Sequence, residues 1–137
     1  MKNVKISARE RSENDLVTVV LDVSFMIHRR WGPGLLEKVY EALLVHHLQK
    51  RGYHVEQQKA IPFVEDGIEL EIGFRVDLIV ENKLLVEIKS VEHLHPVFFK
   101  TVLTYLKVTD LRLGLLVNFG EPYLKDGIKR IANKFEG

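Results

Sequence analysis

From Asp15 onward the apolar residues Leu16, Val19, Val20, Val23 and Ile27 recur at the spacing of one helical face. They predict a helix ending near Arg29-Arg30, where Trp31-Gly32-Pro33-Gly34 breaks it. A second helix is predicted from Leu35 to about Lys50, with Leu36, Val39, Tyr40, Leu43, Leu44 and Leu48 as its apolar positions and Gly52 beyond its end. Extended segments follow: Tyr53 to Val64, Ile68 to Val80 and Leu84 to Val91. Asp66-Gly67 between the first two is a hairpin signal, and Pro62 suits an edge strand or its end. His95-Pro96 opens a third helix through Lys107, and Leu113 to Phe119 reads as a short buried strand. Leu124 to Phe135 has the spacing of a final amphipathic helix. The expected architecture is α/β, one mixed sheet flanked by helices. Residues 1–13 are polar and expected to form a loose arm, with residues 14–137 as a single domain.

Three charges interrupt this pattern. Asp77 lies on one apolar strand, and Glu87 and Lys89 lie on the next, among Leu84, Leu85, Val86 and Ile88. Charges inside apolar strands cost free energy unless something compensates them. Side chains alternate along a strand, so Glu87 and Lys89 share a face. On the preceding strand Arg75 and Asp77 share one face, and Phe74, Val76, Leu78 and Val80 the other. A three-residue loop Glu81-Asn82-Lys83, with Asn or Lys left-handed, sets Asp77 directly across from Glu87. A two-residue turn would shift the register and send the carboxylates to opposite faces. Facing carboxylates repel, and a bound cation turns that repulsion into coordination, because hard oxygen ligands suit Mg²⁺ or Mn²⁺. Without a cation, Glu87–Lys89 or Asp77–Arg75 ion pairs would be the bland explanation. Arg75 is placed either to neutralise a carboxylate or to meet a phosphate.

Composition narrows the setting. At 137 residues the chain fits one domain with a real core. The absence of cysteine excludes disulfides and thiolate metal sites and fits a reducing compartment. No apolar run reaches the ~20 residues of a membrane span, and Met1-Lys2-Asn3-Val4-Lys5 lacks a signal peptide's apolar stretch. A cytoplasmic location is expected. The net charge of +1 is no signature of nucleic-acid binding. Lys100 to Lys134, however, holds seven basic residues against three acidic ones, a surplus of 7 − 3 = 4 that a phosphate backbone could use.

Gly34-Leu35-Leu36-Glu37-Lys38-Val39-Tyr40 reads Gly-x-x-Glu-x-x-Tyr. With Arg75-Val76-Asp77-Leu78-Ile79-Val80, Glu87-Ile88-Lys89, Tyr105-Leu106-Lys107 and Gly114-Leu115-Leu116-Val117-Asn118-Phe119-Gly120, it resembles the GxxExxY family, grouped with the PD-(D/E)XK nuclease superfamily. The resemblance runs from about Asp15 to Asn133. It implies a restriction-endonuclease-like core and a Mg²⁺- or Mn²⁺-dependent nuclease cleaving DNA, with RNA as the alternative. By resemblance Asp77, Glu87 and the Ile88 carbonyl would hold the metal, and Glu37 would join them from its helix. Lys89 would orient or activate water and steady developing negative charge. Tyr40, one turn from Glu37, would lie in the core or behind the site. The family commonly carries glutamine at the position aligned with Thr101. Here the segment reads Phe99-Lys100-Thr101-Val102, so that polar contact is absent or falls to Thr101 or Lys100.

A rival from another class is a non-catalytic nucleic-acid-binding or oligomeric accessory protein that keeps the fold. The six histidines suggest no metal set: His46-His47 face different directions, and His28 sits where a helix dipole favours it. His93 and His95 are read as a solvent-facing loop pair, with lining of the mouth of the site as the alternative. Phe98-Phe99 is read as core packing rather than a base-stacking platform. A homodimer would offer two clefts for two strands.

Overall fold

Residues 11–135 are described by the computed structural model, with the side chains of Glu71 and Ile72 excepted. Residues 1–10 of the expected arm lie outside the described residues. Ser12 caps helix α1 (Glu13–Trp31), its hydroxyl accepting from Asp15 N while the Asp15 carboxylate accepts from Ser12 N. After the Gly32–Gly34 turn comes α2 (Glu37–Lys50), then strands β1 (Val55–Glu65), β2 (Ile68–Val80) and β3 (Leu84–Lys89). Helix α3 (Pro96–Thr109) leads to β4 (Leu113–Asn118), a short 3₁₀ turn (Leu124–Gly127) and β5 (Ile128–Ala132). His95 is the N-cap of α3, its Nδ1 accepting from Val97 N.

The five strands lie in sequence order in one mixed sheet. β1, β2 and β3 are antiparallel neighbours, β3 and β4 are parallel across the α3 crossover, and β5 runs antiparallel to β4. Pro62 is on the edge strand β1, at a register shift between Ile61 and Phe63. Asp66 (φ 51) and Gly67 (φ 76) make the tight β1–β2 turn, which needs left-handed backbone at both positions. One face of the sheet packs Leu78, Val80, Val86, Ile88, Leu115 and Val117 against Leu16, Val20, Tyr40, Leu44 and Leu48 of α1 and α2. The other packs Val76, Ile79 and Leu85 under Val102 and Leu106 of α3. β3 and β4 are covered on both faces, which is why they read as unbroken apolar runs rather than alternating ones. No helix among the described residues is long and apolar enough to cross a membrane.

Two sequence expectations fail here. The segment from Leu124 is not an amphipathic helix: only Leu124–Gly127 winds, and Ile128–Ala132 pairs with β4 from Val117↔Ile128 to Leu113↔Ala132. A helix there would leave the outer backbone groups of the buried β4 without partners, a cost that outweighs apolar spacing. Gly127 permits the approach, since a Cβ at that position would stand 2.5 Å from the Asn118 carbonyl oxygen. The second correction concerns β2. Val76 packs on the α3 face, whereas Leu78 and Val80 pack on the α1/α2 face, so the alternation slips at Asp77. Opposite Asp77 on β1, Gln58 adopts φ 51 between the paired positions Gln57↔Leu78 and Lys59↔Val76.

Candidate active site

The β2–β3 loop has the expected length, and its register is the one a centre at Asn82 requires: Val80↔Leu84, Ile79↔Leu85 and Leu78↔Val86. Asn82 is left-handed as expected, and Glu81 (φ 52) joins it. Glu81 is buried against Arg11, whose guanidinium also lies 4.3 Å from the Tyr53 ring centroid.

Beyond Leu78–Val86, carboxylates take over from the backbone ladder. Asp77 N donates to Glu87 Oε1 at 2.9 Å, and Ile88 N donates to Asp77 Oδ2 at 2.8 Å. Each carboxylate thus accepts from the opposite strand. Neither of the bland ion pairs forms: the salt bridges of the described residues lie elsewhere. Arg75 is exposed and donates to the Gln58 carbonyl at 3.3 Å instead.

Glu87 is only 5% exposed. Burial first, and the neighbouring Asp77 second, push its carboxyl up to about 8, with Asp77 N and Lys89 opposing. A raised carboxyl binds a proton in the folded state that the unfolded chain has already released, so stability falls as pH rises from about 4.5 toward 8. Glu87→Gln is therefore expected to stabilise the metal-free protein. The gain should be negligible near pH 4.5 and reach the order of 1–3 kcal/mol at pH 8, the scale of an imperfectly compensated buried polar group. Urea denaturation of both proteins across that range checks it, and a pH-independent difference would refute it.

Helix α2 brings two glutamates toward this pair. Glu37 and Glu41 lie one turn apart on one side of the helix. Burial raises the Glu37 carboxyl; Lys89 opposes the rise, while Asp77 and Glu41 add to it. Glu41, 6% exposed, is held at both oxygens: Gln57 Nε2 donates to Oε2 at 2.8 Å and Gln58 Nε2 to Oε1 at 2.7 Å. The Gln58 Nε2 also donates to Asp77 Oδ1 at 3.1 Å. Lys89 Nζ lies 4.6 Å from the Phe98 ring centroid. On α3, burial first and then the charges of Glu87 and Asp77 raise the pKa of the Tyr105 hydroxyl.

Tyr40 explains the Gly-x-x-Glu-x-x-Tyr spacing. Its fully buried ring stacks on Phe119, with centroids 4.4 Å apart and planes 8° from parallel. The hydroxyl donates to the Gly32 carbonyl and accepts from Leu35 N at 3.0 Å, so it fixes the turn that delivers Glu37. Ser90 Oγ, just past Lys89, donates to the Leu35 carbonyl at 2.9 Å and ties that turn to β3. Asn118, buried at the end of β4, bonds both backbone groups of Val91 and holds the chain after β3.

Asp77, Glu87, Lys89 and Glu37 thus share one electrostatic neighbourhood. Lys100 and Thr101 line, with Phe74, Thr104 and Tyr105, a cavity of about 210 Å³. Thr101 makes no hydrogen bond to Asp77 or Glu87 among the described residues; the amide that reaches Asp77 comes from β1. Sequence reasoning missed Glu41, Gln57 and Gln58 and used Tyr105 only as a landmark. The available signal for Glu41 was its position four residues after Glu37. Among the described residues no three acidic or histidine side chains converge closely enough to hold a metal ion as placed. The donor set nevertheless suits a divalent cation: several carboxylates face one lysine, and Glu87 is forced to keep its proton.

No curated protein and no solved structure matches the chain significantly. A family model described as the PD-(D/E)XK nuclease superfamily matches residues 14–131, most of the length, and the mixed sheet flanked by helices agrees with that fold. The chain belongs to the PD-(D/E)XK nuclease superfamily.

Proposed function

We propose that this chain is a divalent-metal-dependent nuclease that hydrolyses phosphodiester bonds in DNA, with RNA as the alternative substrate, and that it is a GxxExxY-type member of its superfamily. The observation that carries the reading is the Asp77–Glu87 pair on adjoining strands, with Lys89 two residues on and Glu37 within electrostatic reach. We infer that residues 14–137 act as one domain in the cytoplasm.

In this reading Asp77, Glu87, the Ile88 carbonyl and Glu37 would hold Mg²⁺ or Mn²⁺. When bound, the ion acidifies water and offsets charge on the phosphate. Glu87 has to release its proton before its carboxylate can serve as a ligand, so binding should strengthen as pH rises toward 8. Lys89 carries a positive charge that cannot act as a ligand while protonated, and it steadies charge developing on the phosphate oxygens. The Tyr105 hydroxyl, within electrostatic reach of Glu87 and Asp77, is a further donor, and Arg75, exposed on β2, suits a flanking phosphate.

The test is cleavage of single- and double-stranded DNA and of RNA, with Mg²⁺ or Mn²⁺ and with chelator. Wild type is expected to cut with the metal ion alone, and Asp77→Asn and Glu87→Gln to lose at least ~10²-fold. Equal cleavage by those variants would place the chemistry elsewhere. Asp77-dependent metal binding without cleavage of any substrate would favour the accessory-protein reading.

A further inference from the structure

We propose that Gln58 is a positioning residue for Asp77, its side-chain amide setting the carboxylate in the orientation a divalent cation requires. The inference rests on the reading of Asp77 as a cation ligand. Gln58 lies in mid-strand but takes φ 51, a left-handed conformation that β1 does not need for pairing and that non-glycine residues resist. The consequence is that Gln58 bridges two elements. Its Nε2 donates to Glu41 Oε1 at 2.7 Å and to Asp77 Oδ1 at 3.1 Å. Both partners are carboxylate oxygens, which only accept, so the nitrogen and not the oxygen of the amide must face them.

Asp77 is thereby fixed from two sides: Oδ2 by Ile88 N of β3 and Oδ1 by Gln58 of β1. A carboxylate has roughly four lone-pair directions, so two bonds hold it in place and leave others for a cation. Glu41 anchors the arrangement. It is buried, its second oxygen is occupied by Gln57 at 2.8 Å, and it sits on the helix that also presents Glu37. The chain Glu41–Gln58–Asp77 therefore couples the position of α2 to the orientation of the carboxylate on β2. Outer partners of this kind tune metal affinity through the ligand they orient.

The test compares wild type, Gln58→Gly, Gln58→Ala and Asp77→Ala by calorimetric titration with Mn²⁺ and by thermal unfolding without metal. Glycine adopts φ 51 freely, so Gln58→Gly is expected to melt close to wild type, the relieved backbone offsetting the lost hydrogen bonds. Gln58→Ala keeps the strain, loses the amide and should melt lower. Both are expected to bind Mn²⁺ about 10–100-fold more weakly than wild type. A Gln58→Gly protein that binds within about twofold of wild type overturns the positioning role and leaves the reading of Asp77 intact. A wild type that binds no Mn²⁺, or an Asp77→Ala protein that binds as tightly as wild type, overturns both.

Discussion

Lys89→Met is expected to reduce phosphodiester cleavage by about 10³-fold or more while leaving Mn²⁺ affinity unchanged or tighter. The two effects separate because Lys89 contributes charge rather than coordination. Its Nζ sits over the Phe98 ring and forms no ion pair among the described residues, yet its charge bears on both Glu37 and Glu87. Removing it takes a cation away from a cluster of carboxylates, which favours any other cation that enters. It also takes away the fixed positive charge available to a phosphate approaching the open end of β3. Methionine keeps the length and apolar contact of the stem, so packing on Phe98 survives. Single-turnover cleavage and calorimetric titration on the same preparations check the prediction. Cleavage within tenfold of wild type would remove Lys89 from the chemistry, and a large fall in Mn²⁺ affinity would point instead to a collapsed site.

Tyr40→Ala is expected to destabilise the fold by about 3–5 kcal/mol, the largest stability loss of any change considered. The ring is fully buried and stacked on Phe119 at the junction of α2 with β4, so truncation opens a cavity that rigid neighbours cannot fill. Tyr40→Phe isolates the hydroxyl. It keeps the stack but leaves the Gly32 carbonyl and Leu35 N without their partner, at a cost of about 1–3 kcal/mol. Because those groups belong to the turn before Glu37, the phenylalanine variant should also weaken Mn²⁺ binding, which a packing role alone would not do. Urea denaturation gives the stabilities and titration the affinities. A Phe variant with unchanged affinity would confine Tyr40 to the core.

The Asp77–Glu87 arrangement was legible because it is local. Loop length sets the hairpin register from Val80↔Leu84 to Leu78↔Val86, and Asp77 and Glu87 follow at the next position, joined by Asp77 N donating to Glu87 Oε1. Helical spacing likewise placed α1, α2 and α3 within a few residues, since burial of one face is written into each helix separately. The failures were not local. Ile128 and Ile131 fit a helix as well as a strand, and the unpaired edge of β4 chose between them. The alternation of β2 slips at Asp77, opposite the left-handed Gln58 of the neighbouring strand β1. Nothing in the pattern of Val55–Glu65 announces that.

The chain's own order of residues determined the helices, the hairpin and the carboxylates with their lysine, because spacing and turn length act between near neighbours. Only the tertiary structure decided what surrounds them. Glu41 meets Gln58 across 17 positions and Gln58 meets Asp77 across 19, contacts that exist because α2 packs over the sheet where the left-handed Gln58 interrupts β1. The same burial that seats Glu87 beside Asp77 is what keeps its carboxyl protonated to about 8. A sequence names the charges; their distance and exclusion from water set the electrostatics, and folding alone supplies both.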